Sequence, residues 1–179
     1  MSLMPAAGEP VIALAGNPNA GKSTLFNALT GLHQHTGNWP GKTVEKREGN
    51  FKRGGLTLRI IDLPGAYSLS AFTPEEIITR DFILNAAPSA VVNVLDATNL
   101  ERNLYFTVQL LELGVPVLIA LNMVDELPGQ GLSIDAAALS QQLGVVVVPM
   151  SARRGDGVER LVRELLRLVG TLSVEAGQV

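Results

Sequence analysis

The segment Gly16-Asn17-Pro18-Asn19-Ala20-Gly21-Lys22-Ser23 carries the strongest signal for the architecture of this chain. It matches the phosphate-loop pattern G-x-x-x-x-G-K-[ST] and stands between a strand predicted at residues 11–15 and a helix predicted at residues 22–29. Glycines let backbone N–H groups wrap phosphate oxygens, Lys22 supplies a positive charge, and Ser23 offers a hydroxyl to Mg²⁺. The segment therefore predicts a nucleotide site. The residues predicted to contact the nucleotide here are Asn17, Asn19, Ala20, Gly21, Lys22, Ser23 and Thr24.

Strand and helix patterns alternate along the rest of the chain. Short aliphatic runs predict strands, and apolar residues three or four positions apart predict helices. Further strands are predicted at residues 43–51, 56–61, 90–95, 115–121 and 145–148, and further helices from residue 74 and at residues 100–113, 134–143 and 158–169. Residues 33–42 carry turn formers without a period, which predicts a mobile loop. The chain is therefore assigned to the α/β class.

The composition predicts one folded domain. The chain has 179 residues, of which 46% are hydrophobic and 17% charged, and it contains no cysteine, which excludes disulfides and thiolate metal sites. The 14 basic and 17 acidic side chains give a net charge of −3, so no nucleic-acid partner is expected. We expect residues 1–8 to be an expression leader, residues 9–170 to be the domain and residues 171–179 to be a tail.

A second motif is predicted to hold the metal and the terminal phosphate. Asp62-Leu63-Pro64-Gly65 ends an apolar strand, so Asp62 can hold a Mg²⁺-bound water and the Gly65 N–H can reach the γ-phosphate. An isolated D-x-x-G is most often a plain turn, so this assignment depends on the phosphate loop upstream. Thr43 supplies a second hydroxyl for Mg²⁺, and Gly41 is assigned to the nucleotide. We expect residues 33–43 and 65–74 to be two switches that respond to the γ-phosphate.

A third motif predicts that the base is guanine. Asn122-Met123-Val124-Asp125 ends another strand, and the Asp125 carboxylate can accept hydrogen bonds from the N1–H and N2–H₂ edge that adenine lacks. Met123 stands where such motifs carry Lys, and its apolar stem can lie along the base. In Ser151-Ala152-Arg153 the Ala152 N–H could bond the guanine oxygen, or the segment could simply cap a helix. The expected ligands are GTP and GDP.

Ala66 marks an absence that bears on catalysis. A methyl group stands where Ras-type GTPases carry a Gln that orients the attacking water, and no general base is visible. Backbone groups must then position the water, and positive charge must come from a partner's arginine or from a monovalent cation. Asn19 could ligate K⁺ or could only hydrogen-bond the loop, and both interpretations stay open. The predicted catalytic residues are Asn19, Lys22, Thr43 and Gly65.

The remaining charged residues do not indicate a second site. The basic side chains at residues 46–53 alternate with acids, which favours a solvated face over an RNA site. His33 and His35 stand in a flexible loop without a carboxylate or cysteine, which makes a poor metal site. Trp39, in the same loop, is expected to pack rather than to stack on a base.

Several longer segments resemble the N-terminal G domain of the bacterial ferrous iron transport protein B family. They are GNPNAGKSTLFNALTG at residues 16–31, HTGNWPGKTVEKREG at 35–49, DLPGAYSLS at 62–70, TPEEIITRDFIL at 73–84 and DATNLERNLYFTVQLLELGVPVLIALNMVDE at 96–126. The phosphate loop is shared by many GTPases, whereas G-N-W-P-G-x-T-V-E and L-E-R-N-L-Y are more specific to this family. The likeness covers about residues 9–169. Lys42 and Ala66 depart from it, because the family often has a small apolar residue and Thr at these positions.

The resemblance implies a P-loop GTPase fold of the Ras-like type, with a mostly parallel six-stranded sheet flanked by helices. It implies a GTP-hydrolysing switch that regulates Fe²⁺ uptake, in which K⁺ acts through Asn19 while backbone oxygens of Gly37 and Trp39 help to cap the cation. It also implies a location at the cytoplasmic face of the bacterial inner membrane, with a membrane permease part and a helical domain that this sequence lacks. Oligomerisation through the transporter and an arginine from a partner stay open.

Two alternative functions remain. A soluble RNA-associated GTPase of ribosome assembly or tRNA modification would share N-x-x-G-K-S and also lack the Gln, but this acidic chain shows no RNA-binding extension. A nucleotide-binding module with almost no hydrolysis is the other, because isolated switch GTPases turn over at about 10⁻⁴ to 10⁻² s⁻¹. No apolar run reaches the roughly 18 residues that a membrane helix needs.

Overall fold

The computed structural model describes residues 9–176, which form a seven-stranded sheet with helices on both faces. The strands are β1 (Val11–Gly16), β2 (Gln34–Asn38), β3 (Glu45–Arg53), β4 (Leu56–Asp62), β5 (Ala90–Asp96), β6 (Val117–Asn122) and β7 (Val147–Pro149). The helices are α1 (Lys22–Thr30), α2 (Pro74–Ala86), α3 (Leu100–Glu112), α4 (Ala136–Leu143) and α5 (Val158–Ala176). Short 3₁₀ turns lie at Ala97–Asn99, Val124–Glu126 and Pro128–Gln130. The α/β class is confirmed.

The strand order brings the ends of several strands to one edge of the sheet. The order is β2-β3-β4-β1-β5-β6-β7, in which β4, β1, β5, β6 and β7 pair in parallel and β2 and β3 are antiparallel additions. The chain passes from β1 to neighbours on both sides, and ligands of such open sheets bind in the crevice at this reversal, outside the carboxyl ends of the strands. The phosphate loop follows β1 at this place.

Two apolar layers hold the sheet between the helices. Side chains of β1 alternate between them, because Ala13 and Ala15 face α2, α3 and α4 while Ile12 and Leu14 face α1 and α5. All six residues of β1 are buried, as the continuous apolar run predicts for a central parallel strand. The site therefore stands at the end of a fully buried central strand.

The sheet has seven strands rather than the expected six, because residues 34–38 form β2 where a mobile loop was predicted. β2 pairs antiparallel with β3, from Gln34 opposite Gly49 to Asn38 opposite Glu45, and the Trp39 N–H donates to the Val44 carbonyl at 2.9 Å. Most of this strand is exposed on both faces, so its sequence carries no apolar alternation. The strand forms through backbone pairing with β3, which requires no alternation of apolar residues.

The ends of other predicted elements shift for local reasons. The helix predicted from residue 134 begins at Ala136, since the Asp135 side chain accepts hydrogen bonds from the N–H groups of residues 137 and 138. α5 continues to Ala176, past its predicted end at residue 169 and into the predicted tail. The expected leader at residues 1–8 and the last three residues lie outside the described range. Within residues 9–176, no helix combines the length and apolar character needed to span a bilayer.

Candidate nucleotide-binding site

The phosphate loop lines a cavity of about 580 Å³ at the carboxyl edge of the sheet. The loop joins β1 to α1. Gly65, from the turn after β4, and Met123, from the turn after β6, bound the cavity on its other sides. Its lining residues are Asn17, Pro18, Asn19, Gly21, Lys22, Ser23, Thr24, Gly65 and Met123. The structure thus brings most of the predicted phosphate-loop residues to one cavity.

The backbone of the loop requires a glycine at position 21. Gly21 has φ +88°, and a Cβ at this position would stand 2.1 Å from Asn122 Nδ2. Asn19 also lies in the left-handed region, with φ 67°. This conformation is one that Asn tolerates better than most residues. The close approach of Gly21 to Asn122 couples the phosphate loop to the end of β6.

Asn122 ties three loops together. Its Nδ2 donates to the Ala20 carbonyl at 3.0 Å, and its Oδ1 accepts from the Ala152 N–H at 2.8 Å. The side chain is buried, with 3% exposed. The Ala152 N–H, for which a bond to the guanine oxygen and a simple cap were both open, donates to Asn122 in this structure. Asn122 acts as a brace between the phosphate loop and the loop after β7.

Asp125 lies on the turn after β6 and is paired with Arg153. Asp125 Oδ2 is 3.5 Å from Arg153 Nη2, with 12% of the Asp125 side chain and 75% of the Arg153 side chain exposed. Met123 has φ 64°, and its side chain extends toward the phosphate loop. A Cβ added at Gly21 would stand 3.4 Å from Met123 Cε. Ser151 is buried and its N–H donates to the Asp156 carbonyl at 2.9 Å. The two predicted base-binding segments, residues 122–125 and residues 151–153, therefore meet.

Asp62 carries a cation at each of its carboxylate oxygens. Lys22 Nζ donates to Oδ1, and Arg47 Nη1 lies 3.7 Å from Oδ2. Lys22 and Asp62 are 9% and 6% exposed, so this is a buried ion pair. Removing one partner of such a pair leaves an uncompensated buried charge. A second cation near the carboxylate lowers the cost of turning Lys22 from Asp62 to a phosphate.

The turn after Asp62 packs directly on the phosphate loop. A Cβ on Gly65 would stand 3.0 Å from Pro18 Cα, and the Ala66 N–H donates to the Gly16 carbonyl at 3.1 Å. The Thr79 hydroxyl of α2 donates to the Pro64 carbonyl at 3.0 Å. The start of the second predicted switch is thus held between the phosphate loop and α2.

The first predicted switch does not reach the phosphate cavity. Gly37 lies within β2, Gly41 and Thr43 are exposed in the turn between β2 and β3, and none of them lines the cavity. Trp39 is buried against α2, with its ring centroid 5.6 Å from that of Phe82 in an edge-on contact. The structure therefore separates Thr43 from the other predicted Mg²⁺ residues and separates Gly37 and Trp39 from Asn19. The backbone pairing of β2 with β3 holds them apart.

Sequence reasoning missed Arg47 and Glu76 at this site, whereas Asn17 was among the predicted nucleotide contacts. Arg47 was assigned to a solvated face, but it reaches Asp62 because the two residues are cross-strand partners. Among the described residues, Asn17 Oδ1 is a buried acceptor without a hydrogen-bond partner, while Asn17 Nδ2 donates to the Arg102 carbonyl at 3.4 Å. Glu76 holds the second switch through a capping box, a pattern readable in T-P-E-E.

Glu76 accepts hydrogen bonds from three groups of the loop before α2. The Ser68 hydroxyl donates to Oε1 at 2.9 Å, and the N–H groups of Phe72 and Thr73 donate to Oε2 at 3.1 and 3.4 Å. Burial by itself would raise the pKa of Glu76, but these hydrogen bonds hold its pKa below the ordinary value. The charged carboxylate therefore stabilises the shape of the second switch.

Comparisons with known proteins agree with this geometry. The family model described as ferrous iron transport protein B matches residues 10–165. The chain is 49% identical over 158 residues to the Fe(2+) transport protein A/Fe(2+) transporter FeoB fusion protein of Porphyromonas gingivalis, covering 88% of this chain and 19% of that protein. It is 50% identical over 154 residues to the Fe(2+) transporter FeoB of Salmonella typhimurium, covering 84% and 20%. The chain thus spans about a fifth of the length of these relatives.

Solved structures are equally similar. The FeoB G domain from Methanococcus jannaschii has a TM-score of 0.80 and 48% identity, covering 90% of this chain and 98% of that one. The cytosolic domain of T. maritima FeoB in a GDP form has a TM-score of 0.87 and 42% identity, covering 90% and 63%. A GDP-bound mutant of the S. thermophilus FeoB G domain has a TM-score of 0.83 and 52% identity, covering 87% and 59%. The fold is therefore that of a P-loop GTPase, and the chain belongs to the ferrous iron transport protein B family as an N-terminal G domain.

Proposed function

We propose that this domain binds GTP and GDP with Mg²⁺, hydrolyses GTP slowly, and serves as the nucleotide switch of a bacterial inner-membrane Fe²⁺ transporter. The observation that carries the proposal is the phosphate-loop cavity, with Lys22 at one side and Asp125 beyond Met123. GDP-bound relatives of 42–52% identity support guanine nucleotides as ligands. The relatives are Fe²⁺ transporters about five times as long as this chain, which supports a permease part in the same polypeptide.

The phosphates would enter the cavity between the loop backbone and Gly65. Lys22 would turn from Asp62 to the β and γ phosphates, and the N–H groups at the start of α1 favour negative charge. The donor set fits Mg²⁺, because Ser23 lines the cavity and the buried Asp62 carboxylate stands beside Lys22. When bound, Mg²⁺ neutralises phosphate charge. Ser23, Asp62 and, after movement of its turn, Thr43 are the residues proposed to hold it.

The base would lie against Met123 with its edge toward Asp125. Arg153 must leave Asp125 for the carboxylate to accept the guanine N1–H and N2–H₂, and its high exposure makes that movement inexpensive. Asn122 keeps Ala20 and Ala152 in place on either side of the base, with Ser151 buried behind it. This arrangement favours guanine because adenine offers no donors at N1 and C2.

Hydrolysis would proceed by in-line attack of water on the γ-phosphorus, with cleavage of its bond to the β–γ bridging oxygen. Lys22 stabilises the charge that builds on the phosphate oxygens. Backbone groups of Gly65 and Thr43 are proposed to place the water, because Ala66 offers no polar side chain. Asn19 is proposed to hold K⁺ with Gly37 and Trp39, which requires the turn after β2 to rearrange over the nucleotide.

The decisive experiment measures GTP turnover by the 179-residue chain with Mg²⁺, in KCl and in NaCl at equal ionic strength, with ATP in parallel. We expect turnover in KCl to be at least about tenfold faster, because a cation that lowers the barrier by about 1.4 kcal/mol has this effect. Asn19→Ala should remove the difference, whereas Asn85→Ala, an exposed asparagine on α2, should retain it.

A different experimental result would contradict each part of the proposal. Equal rates in both salts would remove K⁺ from the mechanism and leave nucleotide binding standing. Equal turnover of ATP and GTP would contradict the role of Asp125 in base recognition. The alternative of an RNA-associated GTPase would require salt-sensitive RNA affinity in a filter-binding assay, and the net charge of −3 argues against it.

A further inference from the structure

The register of β3 against β4 places an arginine beside the proposed metal-binding carboxylate. Arg47 and Asp62 are directly opposite partners in this antiparallel pair, so their side chains leave the same face of the sheet. Arg47 Nη1 lies 3.7 Å from Asp62 Oδ2, and 22% of the Arg47 side chain is exposed. The contact is therefore a consequence of the sheet pairing.

Arg47 is also held from three other directions. Its Nη2 donates to Asn27 Oδ1 at 2.8 Å and to Gln34 Oε1 at 3.2 Å. Its guanidinium carbon lies 4.7 Å from the centroid of the Phe26 ring. Asn27 and Phe26 belong to α1 and Gln34 belongs to β2, so two neighbouring elements hold the guanidinium in place while it faces Asp62.

The two cations at Asp62 differ in their freedom to move. Lys22 lines the phosphate cavity and is drawn toward any phosphate that enters it. Arg47 does not line this cavity, and its contacts with Asn27 and Phe26 keep it in place. When Lys22 leaves Oδ1, Arg47 remains at Oδ2 and prevents the buried carboxylate from standing without a cation.

We propose that Arg47 is a positioning residue that holds the Asp62 carboxylate with Oδ1 on the side of Lys22, which lines the phosphate cavity, and so sets the affinity of the nucleotide complex for Mg²⁺. This inference rests on the proposed nucleotide function. Outer-shell partners of this kind orient the group that binds the metal, and their removal typically weakens metal binding about 10–100-fold. Charge repulsion between Arg47 and Mg²⁺ would make removal of Arg47 strengthen Mg²⁺ binding. The direction in which Mg²⁺ affinity changes therefore separates an orienting role from simple electrostatics.

The test measures release of N-methylanthraniloyl-GDP from the 179-residue chain over a Mg²⁺ titration and in EDTA. Arg47→Met should raise the Mg²⁺ concentration for half-maximal slowing of release about tenfold, and Arg47→Lys about threefold, because an ammonium lacks the planar fork. Arg59→Met is the matched control. Arg59 lies on β4 and pairs with Glu48 of β3 at 2.9 Å, so its removal should leave the Mg²⁺ concentration for half-maximal slowing unchanged. Release in EDTA should stay within about twofold for all variants, since Arg47 acts through the metal.

The outcomes separate this inference from the proposed function. An unchanged or lower Mg²⁺ midpoint in Arg47→Met overturns the positioning role, as does an equal acceleration of release in EDTA. If Arg47→Met does not fold, Arg47→Lys decides, and a midpoint equal to that of the unsubstituted chain overturns the role. Failure of the unsubstituted chain to bind the labelled GDP would instead contradict the proposed function.

Discussion

Asp125 is the residue to which we assign the preference for guanine. Its side chain is 12% exposed and is paired with the exposed Arg153, 3.5 Å away. A charged acceptor in this position bonds strongly to paired donors such as N1–H and N2–H₂ of guanine. The residue stands on the 3₁₀ turn after β6, so a buried strand determines its position.

Asp125→Asn should lower the affinity for GDP about 10–100-fold, because one hydrogen bond to a charged group is worth about 1.5–3 kcal/mol. The affinity for xanthosine diphosphate should rise, since the carboxamide can donate to the carbonyl that replaces the guanine amino group. Isothermal titration with both nucleotides checks this. Asp156→Asn, an exposed carboxylate paired with Arg154, is the matched control, and an equal loss there would contradict the assignment.

At the scale of secondary-structure elements, the second switch is shaped by the start of α2. Thr73 and Glu76 form a capping box, and Glu76 also reaches the Ser68 hydroxyl and the Phe72 N–H. The loop before α2 therefore takes its conformation from one buried carboxylate at the helix N-terminus. These hydrogen bonds hold the loop that was predicted to be the second switch.

Glu76→Gln should lower the free energy of unfolding at pH 7 by about 1–2 kcal/mol, because a neutral amide accepts the same hydrogen bonds less strongly. The pKa of Glu76 is lowered in the folded chain, so the carboxylate's contribution is present above the ordinary pKa of 4.5 and is lost as the pH falls through the lower folded pKa. Urea unfolding of both proteins from pH 7 to pH 4 should show their difference narrowing below about pH 4.5.

Glu75→Gln is the control for this prediction. Glu75 precedes Glu76 in the first turn of α2 and shares its interaction with the helix dipole. A loss of stability in Glu75→Gln equal to that in Glu76→Gln would assign the effect to the dipole and not to the hydrogen bonds with the loop. A difference that stays constant down to pH 4 would contradict the role of the Glu76 charge.

At the scale of the whole molecule, the site is assembled from loops that follow different strands. The loops after β1, β4, β6 and β7 meet at one edge, and Asn122 and the Asp62 ion pairs connect them. A ligand in this position contacts segments that are far apart in the chain. Binding should therefore stabilise the fold as one unit.

GDP with Mg²⁺ at 100 times its dissociation constant should add about 2.7 kcal/mol of stability and raise Tm by about 5–10 °C for a chain of this size. ADP at the same concentration should leave Tm unchanged. Scanning calorimetry measures both shifts, and removal of Mg²⁺ with EDTA should reduce the GDP shift. An equal shift with ADP would contradict guanine selectivity.

The elements that could be predicted are those whose signal is local. β1 is a continuous apolar run, α2 has Pro74 after a capping Thr73, and Gly144 ends α4 in a left-handed conformation. β2 could not be predicted, because its exposed residues carry no apolar period and its stability comes from pairing with β3. Local patterns reveal a strand only where one of its faces is buried.

The alternation of strand and helix patterns was sufficient to infer the α/β fold. The order of the phosphate loop, D-x-x-G and N-x-x-D indicated a guanine nucleotide, because each motif requires particular residue types at fixed spacing. The longer segments that contain G-N-W-P-G-x-T-V-E and L-E-R-N-L-Y indicated the family. Contacts between residues that are far apart in the chain could not be inferred in this way, because no local sequence pattern marks them. The pairing of Arg47 with Asp62 depends on the β3–β4 register, and the position of Thr43 outside the cavity depends on the β2–β3 hairpin. Strand register and loop placement are set by long-range packing and backbone pairing, which spacing along the chain does not encode.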